Sequence, residues 1–202
     1  MKELRLVGAV LAGGASRRFG RNKSVEPLDG RRLIDRAADA LRRHTDEVIV
    51  VSSRSDTPAG GWVVVEDCRP SCGPLGGIEA ALQYAADGEY DAAAVLAVDL
   101  PLVDDAALGV LIEAFALDPR RSTVAARDGD PDFEPLCAVY PTSRLEAVSG
   151  LLDAGERAAR ALFEQHGGLR VPGVRGAGMN VNREADLAGV AARVREERKG
   201  GS

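Results

Sequence analysis

Short apolar segments alternate with longer amphipathic segments along this chain. The short segments predict strands of the kind that α/β proteins bury, because their apolar residues are continuous or nearly so. They lie at residues 5–11, 47–53, 62–66, 92–98, 122–127, 133–140, 169–172 and 178–182. The longer segments repeat apolar side chains at helical spacing. They predict helices at residues 31–44, 74–87, 104–117, 142–154, 156–166 and 184–198. This alternation is typical of a sheet covered by helices on both faces, so we predict a Rossmann-like three-layer α/β/α sandwich with a mostly parallel sheet.

The length of 202 residues suits one domain, which we predict to span residues 1–202. Two strands are apolar throughout, around Val48–Val51 and Val63–Val65, and we expect both faces of each to be buried. In open α/β sheets, ligands bind outside the carboxyl ends of the strands. The residues with useful chemistry should therefore follow strands directly. Those that do are the loop after Leu11, the pair Ser52 and Ser53, the pair Glu66 and Asp67, and Asp99.

The first strand leads into a loop rich in glycine and arginine, from Leu11 to Lys23. Glycines let the backbone approach an anion, arginines bind pairs of phosphate oxygens, and a lysine adds a compact charge. Gly14 and Gly20 are separated by five residues and an arginine follows, which does not match the Walker A loop. Gly13 and Gly14 are adjacent, which excludes the dinucleotide pattern G-x-G-x-x-G. The loop therefore predicts a phosphate site of a third kind.

Composition narrows the function classes. A net charge of −5 and few, scattered aromatic residues disfavour a nucleic-acid partner. No apolar stretch approaches the roughly 20 residues of a membrane helix. The N-terminus leads directly into the first strand, so we expect no membrane partner and a cytoplasmic location.

In the cytoplasm, Cys68, Cys72 and Cys137 should be reduced thiols. The two histidines, His44 and His166, lie too far apart along the chain to complete a zinc site with them.

Two charged residues favour phosphate chemistry. Asp99 ends a predicted strand, and a carboxylate there suits Mg²⁺, which shares oxygen ligands with nucleotide phosphates. The structural alternative is that Asp99 caps the following turn. Lys23 is the only lysine away from the termini, since the others are Lys2 and Lys199. Its retention in an arginine-rich chain indicates a site that needs a compact ammonium group.

The loop pattern L-A-G-G-x-S-x-R-x-G-x-x-K resembles the signature of nucleotidyltransferases, and within them the molybdenum cofactor guanylyltransferases. Similar motifs extend over most of the chain: G-P-L-x-G at Gly73–Gly77, Asp-x-Pro at Asp99, E-P-L-C-A-x-Y at Glu134–Tyr140 and N-V-N at Asn180–Asn182. The resemblance implies a fold of the nucleotide-diphospho-sugar transferase type. It also implies transfer of GMP from GTP to molybdenum-molybdopterin with release of pyrophosphate, in molybdenum cofactor (guanine dinucleotide) biosynthesis. The implied partners are GTP, Mg²⁺, a molybdopterin-type acceptor and, transiently, other cofactor-biosynthesis enzymes or molybdoenzymes.

The same resemblance assigns site residues. The implied catalytic residues are Arg17, Lys23 and Asp99, with Asp99 as metal ligand. The implied nucleotide-binding residues are Leu11, Ala12, Gly13, Gly14, Lys23, Ser53, Asp67 and Asp99. The implied acceptor-binding residues are Gly76, Gly77, Arg157, Asn180 and Asn182. In this set Asp67 would read guanine, because a carboxylate can accept from the N1–H and the exocyclic amine of that base.

Each assignment has a structural alternative. Asp67 is equally a solvated turn residue, with Glu66 as its neighbouring functional alternative, and Arg157 is equally a surface arginine. The glycines of Gly73–Gly77 suit an anion at a helix N-terminus or close packing of that helix. Asn180 and Asn182 would alternate on a strand, with Asn182 also able to cap the last helix.

The chain departs from the family pattern at Phe19, Asn22 and Ser53, where the family usually has Met, Asp and often Asn. The alternatives for function are a cytidylyltransferase of the same cofactor, a sugar-1-phosphate nucleotidyltransferase, and a non-catalytic nucleotide-binding domain. The glycine pair Gly13–Gly14 favours the guanylyl branch over the cytidylyl branch, and the segment Ser16–Phe19 favours it over the sugar-1-phosphate branch. The joint presence of Lys23 and Asp99 favours an enzyme.

Overall fold

A seven-stranded sheet forms the centre of the computed structural model, which describes residues 3–13, 23–53, 59–67, 69, 71–126, 132–181, 185–187 and 189–192. Within these residues the strands are β1 (Leu6–Leu11), β2 (Pro27–Leu28), β3 (Arg31–Arg32), β4 (Glu47–Ser52), β5 (Val63–Glu66), β6 (Ala92–Ala97), β7 (Thr123–Ala126), β8 (Phe133–Pro141) and β9 (Leu169–Val171). The sheet order is β5-β4-β1-β6-β8-β7-β9, and β2 and β3 form a separate hairpin. Strands β5, β4, β1 and β6 are parallel neighbours, whereas β8 pairs antiparallel with both β6 and β7.

Helices cover both faces of the sheet. They are α1 (Leu33–Leu41), α2 (Gly73–Asp87), α3 (Asp105–Leu117), α4 (Leu145–Asp153) and α5 (Ala159–His166). One apolar cluster joins α1 and α3 to one face, and a second joins α2, α4 and α5 to the other. Alternate residues of β1 enter the two clusters, as the two-residue period of a strand requires. The predicted three-layer α/β/α sandwich with a mostly parallel sheet is therefore confirmed.

The centre of the sheet depends on one close approach of helix to strand. A Cβ added to Gly8 of β1 would lie 2.9 Å from the Leu41 Cβ and 2.9 Å from the Thr45 Oγ1. The Thr45 hydroxyl in turn donates to the carbonyl of Leu41, at 3.0 Å. This bond holds Thr45 at the end of α1, so a larger side chain at position 8 could not be accommodated without moving both. Glycine at this position lets α1 pack directly on β1.

Seven of the predicted strands are present, but the strand at 178–182 is wrong. Its described residues form no ladder: Met179 N–H donates to the carbonyl of Gly176, and Val181 N–H donates to the carbonyl of Asp99. The segment follows turns in which Gly173 and Gly176 have φ values of 78° and 81°. These turns carry the chain across the end of the sheet, so no neighbouring strand is available to residues 178–181.

Three other expectations need correction. Residues 31–32 are strand and not helix, because Asp29 and Gly30 adopt positive φ and close a hairpin with β2. The strand Val63–Val65 is not buried on both faces: β5 is a sheet edge and the Val63 side chain is exposed. Helices α4 and α5 begin about one turn later than expected. The predicted helix 184–198 is helical at residues 185–187 and 189–192, and its other residues lie outside the described ones.

The close approach at β1 predicts that Gly8→Ala lowers the free energy of unfolding by about 1–3 kcal/mol, because the added methyl group overpacks the contact with α1. Chemical denaturation monitored by circular dichroism measures this difference.

Gly150→Ala is the matched control, since nothing lies within 4 Å of a Cβ added there. Gly150 is inside α4, so this variant should be more stable than the parent by about 0.5–1 kcal/mol. Equal unfolding midpoints for Gly8→Ala and the parent would contradict the packing described here.

Candidate active site

The carboxyl ends of β1, β4, β5 and β6 meet at one edge of the sheet and are joined there by backbone hydrogen bonds. Ala12 N–H donates to the carbonyl of Val51 at 2.9 Å, and Val98 N–H donates to that of Leu11 at 3.2 Å. Asp67 N–H donates to the carbonyl of Ser52 at 3.2 Å. The loops that follow four parallel strands therefore form one continuous edge, where ligands of open α/β sheets bind.

Gly13 brings two of these loops together. A Cβ added to Gly13 would lie 3.5 Å from the backbone nitrogen of Ser53 and 3.9 Å from the Asp67 Oδ2. Leu11, Ala12 and Gly13 thus face Ser53 and Asp67 across a narrow gap. The structure brings together these five residues of the predicted nucleotide site.

Lys23 and Asp99 form an ion pair at the same edge, with 3.6 Å between the Lys23 Nζ and the Asp99 Oδ2. Their side chains are 12% and 25% exposed, so the pair is largely shielded from water. Burial lowers the pKa of Lys23, and the charges of Asp99 and Asp186 oppose this shift. The ammonium group therefore lies among carboxylates at the position where a phosphate loop must place its positive charge.

Two buried side-chain oxygens in the segments that meet here accept no hydrogen bond from the part of the chain that the structure describes. The Oδ1 atoms of Asp99 and Asn180 are both buried without a partner among the described residues. The 2.8 Å bond from Val181 N–H to the carbonyl of Asp99 holds the two segments together. Unsatisfied carboxylate and amide oxygens are the ligand types that Mg²⁺ prefers, so the residues present fit this cation.

Asp67 lies between the end of β1 and the first turn of α2. A Cβ added to Gly77 would lie 3.8 Å from the Asp67 Oδ1 and 3.4 Å from the Leu11 side chain. Burial raises the pKa of Asp67. Its carboxylate is therefore a partly desolvated acceptor, whereas the turn residue considered as the structural alternative would be solvated.

The start of α2 packs closely on its surroundings. Gly73 has a φ of 66°, and a Cβ added there would lie 3.1 Å from the carbonyl oxygen of Arg157. A Cβ on Gly76 would lie 2.9 Å from the Cys72 Cβ, so its small size serves the turn before the helix. Of the two predicted acceptor-binding glycines, Gly77 faces Asp67 and Gly76 faces Arg69 and Cys72.

Arg157 has structural partners in this position. Its guanidinium donates to the carbonyls of Leu152 at 3.0 Å and Glu156 at 2.7 Å, and its own carbonyl accepts from Leu75 N–H at 3.3 Å. The residue thus joins the end of α4 to the start of α2. A role toward an acceptor remains a prediction, as it does for Asn180.

Three of the predicted site residues, Gly14, Arg17 and Asn182, lie outside the described residues. Asp104 caps α3 by accepting from Ala107 N–H at 2.8 Å. The run Glu134–Tyr140, which resembles a family motif, lies in β8, and burial raises the pKa of its Cys137 thiol far above the ordinary value. A thiol with so high a pKa is protonated and unreactive.

Sequence reasoning missed two contributors to this edge. Asp186 raises the pKa of Lys23, although nothing in the sequence relates positions so far apart. Glu79 is buried in α2 and paired with Arg69. The signal that could have found it is an acidic residue at an apolar-face position of an otherwise apolar helix.

Within the described ranges, no helix is both long enough and apolar enough to cross a membrane.

The fold and this edge have counterparts among known proteins. The profile of the MobA-like NTP transferase domain matches residues 8–171. A protein of Deinococcus radiodurans named probable molybdenum cofactor guanylyltransferase is 38% identical over 196 residues, which are 96% of this chain and 97% of the relative.

Solved structures agree in fold. The chain resembles molybdopterin-guanine dinucleotide biosynthesis protein A from Archaeoglobus fulgidus with a TM-score of 0.77 and 22% identity, over 95% of this chain and 99% of that one. It also resembles 2-C-methyl-D-erythritol 4-phosphate cytidylyltransferase from Thermus thermophilus with a TM-score of 0.69 and 18% identity, over 93% and 98% of the two chains. At these identities the two structures establish the fold, while the profile and the Deinococcus relative establish the family: this chain belongs to the MobA-like NTP transferase family.

Proposed function

We propose that this chain transfers GMP from GTP to the terminal phosphate of molybdopterin that carries molybdenum, releasing pyrophosphate. The observation that carries the proposal is the shielded pair of Lys23 and Asp99, 3.6 Å apart, at the edge that also holds Asp67. Family membership and the name of the Deinococcus relative support the same activity. The whole chain acts as one nucleotidyltransferase domain in the cytoplasm under this proposal.

The reaction joins two phosphates. An oxygen of the acceptor phosphate attacks the α-phosphorus of GTP, a P–O bond forms, and the bond to the bridging oxygen breaks so that pyrophosphate leaves. No protein nucleophile is needed, because positioning and charge neutralisation are enough for phosphoryl-type transfer. The unreactive Cys137 thiol is consistent with this route.

The described residues divide this work. The backbone of Leu11–Gly13 lines the nucleotide, and the Lys23 ammonium neutralises phosphate oxygens once GTP enters. Gly14 and Arg17 continue the same loop and are proposed for the same phosphates. Asp99 would hold Mg²⁺, and the Oδ1 of Asn180, buried without a partner among the described residues, would be a further oxygen ligand. When bound, Mg²⁺ supplies further neutralisation of phosphate charge.

Asp67 determines the base. Its carboxylate accepts from the N1–H and the exocyclic amine of guanine, and neither cytosine nor adenine offers that pair of donors on one edge. Partial desolvation strengthens these hydrogen bonds relative to those of a solvated carboxylate. The fold does not separate guanylyl from cytidylyl transfer, since the cytidylyltransferase shares it, so Asp67 is the group that favours GTP.

The acceptor is proposed to contact a further set of residues. Gly76, Gly77, Arg157, Asn180 and Asn182 are the residues proposed for it. Transient contact with other cofactor-biosynthesis enzymes or molybdoenzymes would deliver the acceptor and receive the product.

Removing either charge of the central pair should abolish most of the activity. Lys23→Ala and Asp99→Asn are each expected to lower kcat/KM by about 10²–10³-fold, because each removes charge stabilisation of the transition state. The assay follows release of pyrophosphate from GTP with molybdopterin as acceptor and Mg²⁺ present.

Asp105→Asn is the matched control, since it removes a carboxylate that is also 3.6 Å from a basic side chain, that of Arg43. Turnover of this variant should equal that of the parent. If the parent releases no pyrophosphate from GTP, the proposed function is wrong. If Asp99→Asn behaves like Asp105→Asn, the role of Asp99 is wrong.

Binding of GTP should weaken as the pH falls through the raised pKa of Asp67. Protonation removes an acceptor and adds a proton that faces the donors of guanine, and burial places this loss at a higher pH than for an ordinary aspartate. Calorimetric titration of GTP across mildly acidic pH measures the loss. Asp67→Asn should bind weakly with little pH dependence, and a parallel pH dependence in this variant would contradict the assignment.

The contribution of Asp67 to the stability of the free protein should have the opposite pH dependence to GTP binding: it should increase as the pH falls. The folded state binds this proton more tightly than the unfolded state does, so the contribution of Asp67 to stability rises as the pH falls from above the raised pKa to below the ordinary one. The melting temperature of the parent should therefore rise relative to that of Asp67→Asn as the pH is lowered. A constant difference between the two melts would contradict the raised pKa.

A further inference from the structure

Helix α2 buries a charged residue close to the base-reading edge. Of its nine buried residues, all within the fully described helix, Glu79 is the only one with a charged side chain. That side chain is 6% exposed. A carboxylate is strongly disfavoured in such a place unless a cation and hydrogen-bond donors are present.

Glu79 joins α2 to two other segments. Its Oε1 accepts from the Ser149 hydroxyl in α4 at 2.8 Å. Its Oε2 lies 3.1 Å from the Arg69 Nε and accepts no well-directed hydrogen bond among the described residues, so the contact with Arg69 is mainly ionic. The guanidinium of Arg69 also pairs with Asp153 at the end of α4.

Arg69 belongs to the segment that presents Asp67. Only Cys68 separates them along the chain, and the carbonyl of Arg69 lies 3.7 Å from where a Cβ of Gly76 would be. The segment then turns through Ser71, whose φ of 65° is unfavourable for a residue with a side chain. A turn of this kind persists only where its surroundings hold it. Contacts at Asp67 and Arg69 supply that restraint.

The two ends of the segment are held differently. At Asp67 the backbone N–H donates to the carbonyl of Ser52 in β4. This bond holds the backbone of Asp67 and does not involve its carboxylate. At Arg69, two positions later in the chain, the ion pair with the buried Glu79 carboxylate holds the side chain.

We propose that Glu79 is a positioning residue for base selection, which acts through Arg69 to hold the Asp67 carboxylate against the guanine edge. The inference rests on the proposed function, since Asp67 is assigned to guanine there. Stability alone does not require the charge, because apolar side chains of similar volume often replace buried ion pairs without loss. The charge is required, however, if Glu79 must hold a neighbouring loop in position through an ion pair.

Glu79→Gln tests the proposal with GTP and inosine triphosphate, which lacks the exocyclic amine. The variant keeps the shape and the hydrogen bond with Ser149 and loses the charge that holds Arg69. We expect KM for GTP to rise about tenfold with kcat within about twofold, and the preference for GTP over inosine triphosphate to fall about fivefold, equivalent to the loss of about one good hydrogen bond. Arg69→Gln should give the same changes, and the double variant should add nothing to either.

Glu47→Gln is the matched control. Glu47 accepts from the hydroxyls of Tyr84 at 3.1 Å and Tyr90 at 2.8 Å, so it too ties α2 and the chain that follows to the sheet, at the end remote from Asp67. This variant should lose stability without any change in the ratio of the two nucleotides. If Glu79→Gln lowers the melting temperature and leaves that ratio unchanged, as the control does, Glu79 is only structural and the inference is overturned.

Hydrogen exchange separates failure of this inference from failure of the proposed function. Glu79→Gln should speed exchange of the backbone amides of Asp67, Arg69 and residues 71–73 in the free protein, while Glu47→Gln should not. If the parent shows no preference for GTP, the proposed function fails, and faster exchange in Glu79→Gln would still show that Glu79 holds this segment through Arg69. Unchanged exchange in that variant would overturn the positioning role of Glu79 in either case.

Discussion

The candidate site depends on the parallel alignment of β1 with its two neighbours. Because β4 and β6 pair with β1 in parallel, the loops that follow all three strands emerge at the same edge. Backbone bonds then extend beyond the strands, from Ala12 to β4 and from Val98 to β1. These bonds satisfy backbone groups that would otherwise be open, and they hold the loop that contains Gly13 against the end of β4 and the loop that contains Asp99 against the end of β1. Small residues are needed at two close approaches: Gly8 lets α1 pack on β1, and Gly13 lets the loop after β1 approach Ser53 and Asp67.

Charge is concentrated and shielded at that edge. Lys23 is opposed by Asp99 and Asp186, and the unpartnered Oδ1 of Asp99 gives the carboxylate capacity for a cation. Oppositely charged groups held in a partly buried place interact more strongly than they would in water. A triphosphate entering this edge would replace the carboxylates as the partner of Lys23. The charges at this edge therefore suit an anion that binds together with a cation.

The sequence predicted the fold well, for physical reasons. Continuous apolar runs such as Val48–Val51 can only be buried strands between helices, and the spacing of Leu33, Ala37 and Leu41 suits a helix face. It failed at residues 178–181, where a short apolar and polar alternation resembles a strand but no partner strand exists. The hairpin of β2 and β3 was missed because each strand has only two residues and lacks a periodic signal. Within the site, Lys23 and Asp99 were found because each follows a clear signal, whereas Glu79 and Asp186 act through contacts between distant parts of the chain. Such contacts become visible only in three dimensions.

Guanine recognition by this edge is the central claim, and equilibrium binding measures it most directly. Calorimetric titration with GTP, CTP, ATP and UTP, each with and without Mg²⁺, compares the four bases under identical conditions. We predict tighter binding of GTP than of the others, strengthened by Mg²⁺ and reduced to the level of the others in Asp67→Ala. Preference for CTP, or GTP binding that survives Asp67→Ala unchanged, would contradict the claim.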